Sequence, residues 1–175
     1  NADPLAVSDL PRAETVVTDA APASAAVQAF TADLFQVLVD AAPDGNLLCS
    51  PLSVFCALAM ARTGALGTTA DQMDDVLHAP QPSPARLGET LNALTQLLES
   101  RAGTISRGTG VEPAEIVIDV ANSLLGQQGI PWKPPFLDAL ATYYGAGMQL
   151  VDYRTQAEQA RGQINDWVSD RTHAK

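Results

Sequence analysis

NLLCSPLSVFCALAMARTGALGTTADQMDDVL, residues 46–77, decides the fold. Asn46 to Cys49 is a short apolar run that predicts a strand, and it passes directly into Ser50 and Pro51, a favoured N-cap followed by proline at the first helical position. A helix through Arg62 follows, apolar nearly all round: Val54, Ala57, Leu58 and Ala61 share one face, with Phe55 and Cys56 elsewhere. Such a helix is expected at the centre of a larger protein. Gly64 suits the left-handed position that ends a helix. Thr69 and Gln72 form a capping box for another helix, whose buried face is expected to be Met73, Val76 and Leu77.

Upstream, residues 1–24 are rich in Ala, Pro, Asp and Thr and lack sustained periodicity, which predicts a flexible leader. Val27, Phe30, Leu34, Val37 and Leu38 then recur at helical spacing until Pro43, Asp44 and Gly45 break the pattern. Downstream of Pro80, Pro82 and Pro84, Leu87, Leu91, Leu94 and Leu98 form the stripe of a further helix, and residues 102–110 read as a loop. Glu115 to Leu125, carrying Ile116, Val117, Ile118 and Val120, is expected to be one long strand buried on both faces. The Gly126 to Pro135 connection leads to a helix that aligns Leu137, Leu140, Ala141 and Tyr144. A strand from Met148 to Tyr153 comes next, then a helix with Ala160, Ile164, Trp167 and Val168 on one face. Helices outnumber strands, and the long strand would have exposed edges unless others flank it. Partner strands are therefore expected beyond Lys175, with the chain incomplete as a folding unit.

Hydrophobic residues make up 46% of the chain and charged residues 17%, a balance that suits a buried core and argues against disorder. No apolar run reaches the roughly 18 residues of a membrane-crossing helix, since Leu52 to Ala61 ends at Arg62, so no membrane partner is expected. The net charge is −10, with 20 acidic residues against 10 basic ones, and no basic cluster could track phosphates. Nucleic acid is thereby disfavoured as a partner. The chain opens at Asn1 without a basic n-region and apolar h-region, so a signal peptide is either removed or was never present.

Residues capable of chemistry have structural explanations. Cys49 and Cys56 read as buried free thiols; a disulfide would need Cα atoms within about 7 Å, and no metal spacing such as CxxC occurs. His78 and His173 read as polar residues near helix ends rather than general bases or ligands. Neither Ser50 nor Ser53 lies in a G-x-S-x-G elbow. GTISRGTG, residues 103–110, lacks the Lys-Ser/Thr pair of a phosphate loop. Asp71, Asp74 and Asp75 could be imagined as a cation site, but a solvated face at the positive end of a helix is the better account. Trp132 and Lys133, between Pro131 and Pro134, could touch a partner or form a rigid turn with the indole packed on the core. No catalytic, metal or cofactor-binding residue is expected, so the chain is not read as an enzyme.

From residue 25 to 175 the order of these motifs resembles the serpin family. Residues 46–77 are similar to its short strand, Ser-Pro-x-Ser-Val, Ala-rich helix, glycine turn and Thr-x-x-Gln-Met. Residues 120–153, VANSLLGQQGIPWKPPFLDALATYYGAGMQLVDY, resemble its Ala-Asn-Ser-Leu strand, Phe-Leu helix, Tyr-Gly-Ala turn and Val-Asp-aromatic strand. Residues 160–175, ARGQINDWVSDRTHAK, are similar to Ala-Arg-x-x-Ile-Asn-x-Trp-Val-x-x-x-Thr-x-Gly-Lys, with Ala174 where the family usually has Gly.

The resemblance implies a mixed α+β fold with a large central sheet, residues 25–175 being the N-terminal part of a serpin domain behind a leader of residues 1–24. It implies a suicide inhibitor whose reactive loop is cleaved by a target serine or cysteine protease and inserts into the sheet. The alternative within the family is a non-inhibitory carrier, chaperone or structural protein. Ser50 and Ser53 match the serines of the family's shutter region, where hydroxyls would satisfy backbone groups as the sheet parts. The reactive site and the rest of the domain are expected beyond Lys175. Polyanion activation is disfavoured, because residues 84–101 carry only Arg86 and Arg101 as basic residues. An extracellular location and a bacterial source are further expectations.

Overall fold

The computed structural model describes residues 5–6, 8–79, 83–105, 112, 114–118 and 120–172. The helical spacings produce helices close to where they predict them: α1 (Ala21–Ala41), α2 (Pro51–Gly64), α3 (Gly67–Val76), α4 (Pro84–Glu99), α5 (Pro134–Tyr144) and α6 (Ala157–Arg171). A 3-10 helix, Val17–Ala20, leads into α1. Three short strands, β1 (Leu5–Ala6), β4 (Leu124–Gln127) and β5 (Met148–Val151), form one sheet in the order β1-β5-β4. In it β4 runs parallel to β5 and β1 antiparallel. The remaining strands, β2 (Gly103–Ile105) and β3 (Ala114–Ile116), make an antiparallel ribbon.

Two apolar clusters hold these parts together. In the first, Ala23, Ala26 and Phe30 of α1 meet Phe55, Cys56 and Ala59 of α2, together with Leu77, Leu87 and Leu91. Phe30 and Phe55 meet edge to face, with ring centroids 5.6 Å apart and planes at 76°. In the second, Met60 of α2, Leu140 of α5 and Met148 of β5 are enclosed by Leu124, Trp132, Phe136 and Leu150. The β4–β5 pair therefore rests on α2 and α5. Gly126 of β4 fits this contact because a Cβ there would lie 2.5 Å from Met148 Sδ and 2.6 Å from the Trp132 ring. Trp132 is thus packed on the core, as its rigid-turn alternative had it, and it tilts against Phe136 at 6.2 Å.

Several local expectations are corrected, each because a partner rather than the local pattern decides the outcome. The buried face of α2 is Phe55, Cys56, Ala59, Met60 and Arg62, whereas Val54 is 40% exposed. The side of α2 facing α1, α4 and α5 is covered and the opposite side is not. Asn46 to Cys49 forms no strand; among the described residues nothing pairs with it, and Leu48 projects fully into solvent. The predicted strand from Glu115 to Leu125 is broken: its start belongs to β3, its end to β4, and Val117 between them is exposed. Backbone pairs only where a neighbour runs alongside, and β2 and β5 reach only the two ends of this segment. None of its described residues is helical. Residues 103–105, expected in a loop, form β2; residues 106–110 and the prolines at 80 and 82 lie outside the described residues.

The punctuation around α3 also differs. Gly64 is the last residue of α2 and has no left-handed backbone; its lack of a side chain instead leaves room for Phe136, 3.2 Å from where a Cβ would stand. The left-handed position falls at Gly67, φ 57°, so α3 opens there and Thr69 and Gln72 lie within the helix instead of forming a capping box. On α3 the buried residues are Ala70 and Asp74, with Leu77 buried just beyond; Val76 is exposed.

Within residues 1–24, the described residues make contacts with the sheet and the helices. β1 pairs with β5, Ser8, Arg12 and Ala13 are hydrogen-bonded to α4 and α5, and α1 begins at Ala21. The low-periodicity composition hides this because the segment is ordered by its partners and not by a stripe of its own.

Candidate functional site

Ser50 and Ser53 occupy the first turn of α2, at the start of the helix that supports the β4–β5 sheet. Ser50 is the N-cap in non-helical geometry, φ −115° and ψ 89°, and its carbonyl accepts the Val54 amide at 3.2 Å. Its hydroxyl does not cap. The two Oγ atoms are 3.0 Å apart and hydrogen-bonded to each other, with Ser50 exposed and Ser53 half-buried. The pair presents hydroxyls, each able to donate and to accept, at the free end of the helix. Such groups can change partners as neighbouring backbone moves, without requiring a charged intermediate. His78 is engaged elsewhere: its Nε2 lies 2.7 Å from Asp33 Oδ2, and its backbone is left-handed at φ 48°. His173 and Ala174 lie outside the described residues.

Behind the serines, α2 connects to the rest of the site through side chains whose sequence gives little notice of their roles. The Tyr144 hydroxyl, at the end of α5, donates to the Ala59 carbonyl at 3.1 Å and stands 3.5 Å from Thr63 Oγ1. Burial pushes its pKa up to about 12, so it remains a neutral donor. Cys56, also in α2, is buried and its thiol is raised by desolvation to about 11, which makes it inert packing. Cys49 is likewise a free thiol and is half-buried. Arg62, near the end of the same helix, is buried and grips Asp74 of α3 through Nε and Nη2, both at 2.7 Å. Asp74 was expected on a solvated face; it is instead the counter-ion of a buried guanidinium, and no group of three metal-ligating residues occurs among the described residues. That pairing spans two helices, so spacing within α3 carries no trace of it.

On the sheet side, β4 is one of the two terminal strands, and the connection from β5 into α6 is held by Asp152. Asp152 Oδ1 accepts from Gln127 Nε2 and from the amides of Arg154 and Thr155, each at 3.1 Å, and Oδ2 accepts from the Thr155 hydroxyl. Gln127, the last residue of β4, returns a bond from its Oε1 to the Tyr153 amide at 3.0 Å. These donors, Thr155 first, lower the Asp152 pKa from 3.8 to about 2. A depressed carboxylate stabilises the fold above its unfolded pKa and loses that contribution as pH falls through the folded value. Asp152→Asn should therefore lower the melting temperature at neutral pH, and the gap from the parent protein should close between about pH 4 and pH 2. A gap independent of pH in thermal scans would contradict this role. From here α6 places Ala160 in a buried position, with Ile164 and Trp167 half-buried and Val168 exposed.

The comparisons with known proteins agree with this arrangement. Residues 25–175 match the family described as serpin (serine protease inhibitor). A leukocyte elastase inhibitor of Sus scrofa is 33% identical over 152 residues, covering 87% of this chain and 37% of that relative. Another, of Xenopus tropicalis, is 33% identical over 153 residues with the same coverage. The chain thus spans little more than a third of the length of these relatives. Among solved structures, a cleaved Serpin 42Da aligns with a TM-score of 0.70 at 22% identity over 91% of this chain and 38% of that one, a likeness of fold alone. A tumour-suppressing serpin aligns with a TM-score of 0.67 at 26% identity, over 89% of this chain and 38% of its own. With the family pattern matched from residue 25 to residue 175, the chain belongs to the serpin family and has its mixed α+β fold.

Proposed function

We propose that the complete protein is a suicide inhibitor of serine endopeptidases. The observation that carries this reading is the position of β4: it ends the sheet order β1-β5-β4, so its outer row of backbone groups is open to a further strand among the described residues. An open strand edge is a template for pairing. Insertion of a cleaved reactive loop into a sheet is a known form of strand addition in serpins. The target protease's serine attacks the scissile carbonyl, the amine side leaves, and the acyl ester stays attached to a loop that becomes part of the sheet. Ser50 and Ser53, at the free end of the supporting helix, are proposed to exchange hydrogen-bond partners as strands separate. The two leukocyte elastase inhibitors among the relatives support this reading at the level of their names.

Incubating the complete protein with an elastase-like or trypsin-like serine protease should yield an adduct that survives denaturing detergent, with matching loss of protease activity. Cleavage with neither adduct nor inhibition would assign the protein to the non-inhibitory side of the family.

A further inference from the structure

A second polar network lies away from Ser50 and Ser53, and it accounts for polar residues otherwise out of place. Asn92 and Thr95 sit on a covered face of α4, 1% and 7% exposed. Polar groups at such depth need partners, and here Arg12 supplies them. Its Nε donates to Asn92 Oδ1 at 2.7 Å, Nη2 to Thr95 Oγ1 at 2.6 Å, and Nη1 to both Glu99 oxygens at 3.0 and 3.1 Å. The neighbouring Ala13 carbonyl accepts from Asn92 Nδ2 at 2.9 Å and Gln96 Nε2 at 2.8 Å, while the Ala13 amide donates to the Thr142 carbonyl of α5. Ser8 Oγ donates to Asp138 of α5 at 2.6 Å. Gly145, left-handed at φ 59°, closes α5 and leaves space for this segment: a Cβ there would stand 2.8 Å from Arg12 Cδ. Just upstream, β1 lies along β5.

One short stretch thus starts at the sheet edge, crosses α5 and ends on α4, which packs in turn on α1 and α2. We propose that Ser8–Ala13 is a strap, pinned by Arg12, that couples the β1 edge of the sheet to the helices and holds the sheet in its unexpanded arrangement. This rests on the inhibitor reading, in which β4 and β5 shift relative to the helices when a strand is added. A strap crossing that boundary resists the shift, because β1 is paired to β5 while Ser8, Arg12 and Ala13, a few residues on, are hydrogen-bonded to α5 and α4. The guanidinium is suited to the pin because its rigid planar fork presents Nε, Nη1 and Nη2 to three acceptor side chains, whereas an ammonium offers its donors from a single nitrogen.

The test uses the complete protein with Arg12→Ala and Arg12→Lys. Arg12→Ala should raise amide hydrogen exchange in α4, the second half of α5 and β5 by roughly tenfold or more. It should also speed spontaneous conversion to a relaxed, inactive form, read by residual inhibition and by gain of urea resistance. Arg12→Lys, which retains the charge near Glu99 and loses the fork, should fall between the two; it decides the matter if Arg12→Ala fails to fold. Unchanged exchange in these elements overturns the strap. Faster exchange with an unchanged conversion rate overturns its coupling to the sheet. Should the parent protein form no protease adduct, the inhibitor reading fails, while hydrogen exchange still decides whether the strap exists.

Discussion

Asp74→Ala should destabilise the protein by about 3–5 kcal/mol, a loss read as a lower urea midpoint for the complete protein. The size follows from what is left behind. Arg62 is 5% exposed, and two of its nitrogens are satisfied by Asp74 at 2.7 Å; its one other bond among the described residues, from Nη1 to the Ala65 carbonyl, is long at 3.4 Å. Removing the carboxylate leaves a guanidinium without its counter-ion at a site closed to water, the costliest single change such a pair can suffer. The pair also fixes the angle between α2 and α3, since among the described residues the Ala65–Leu66 link between them carries no other side-chain bond than that to Ala65. Replacing both partners, as Arg62→Met with Asp74→Leu, should recover most of the loss because no charge then remains buried. A single-variant loss of only a few tenths of a kcal/mol, as for an exposed pair such as Arg161 with Glu158, would show that water reaches the site.

Phe55→Ala should cost about 3–5 kcal/mol through loss of buried surface and the cavity left behind. Phe55 is 0% exposed, sits at the junction of α1, α2 and α4, and supplies one side of the edge-to-face contact with Phe30. The surrounding side chains belong to helices held by separate contacts and cannot close the gap together. Phe55→Leu, which retains most of the volume, should lose about half as much or less. Equal losses for the two variants would mean that the aromatic contact, and not the volume, dominates at this position.

These two residues also mark the limit of what the sequence discloses. Helices α1 to α6 were legible because their spacing is local: Leu87 and Leu91 sit one turn apart and are both buried. Which side of a helix becomes covered is a property of its neighbours. Val54 and Phe55 are adjacent and equally apolar, yet one is exposed and the other fully enclosed. The strand from Glu115 to Leu125 has β-branched composition throughout, but pairing occurs only where β2 and β5 run beside it. Ser50 and Ser53 stand out only through the resemblance of Ser-Pro-x-Ser-Val to a serpin motif; their hydroxyls are hydrogen-bonded to each other. Arg12 and Arg62 could not, since their partners lie on other elements and arginine alone gives no hint of burial. Asn92 and Thr95, beside the leucine stripe of α4, are buried polar residues whose partners lie on another segment.

Trp132 carries a consequence of its own. Among the described residues its indole Nε1 is the one buried side-chain polar atom without a hydrogen-bond partner. The ring lies beneath Gly126, in contact with the strand that ends the sheet. The chain has only one other tryptophan, Trp167 on α6. Ultraviolet emission from the indole at 132 is thus a built-in optical gauge, dim to solvent while the strand above stays seated and responsive once water gains access to that nitrogen.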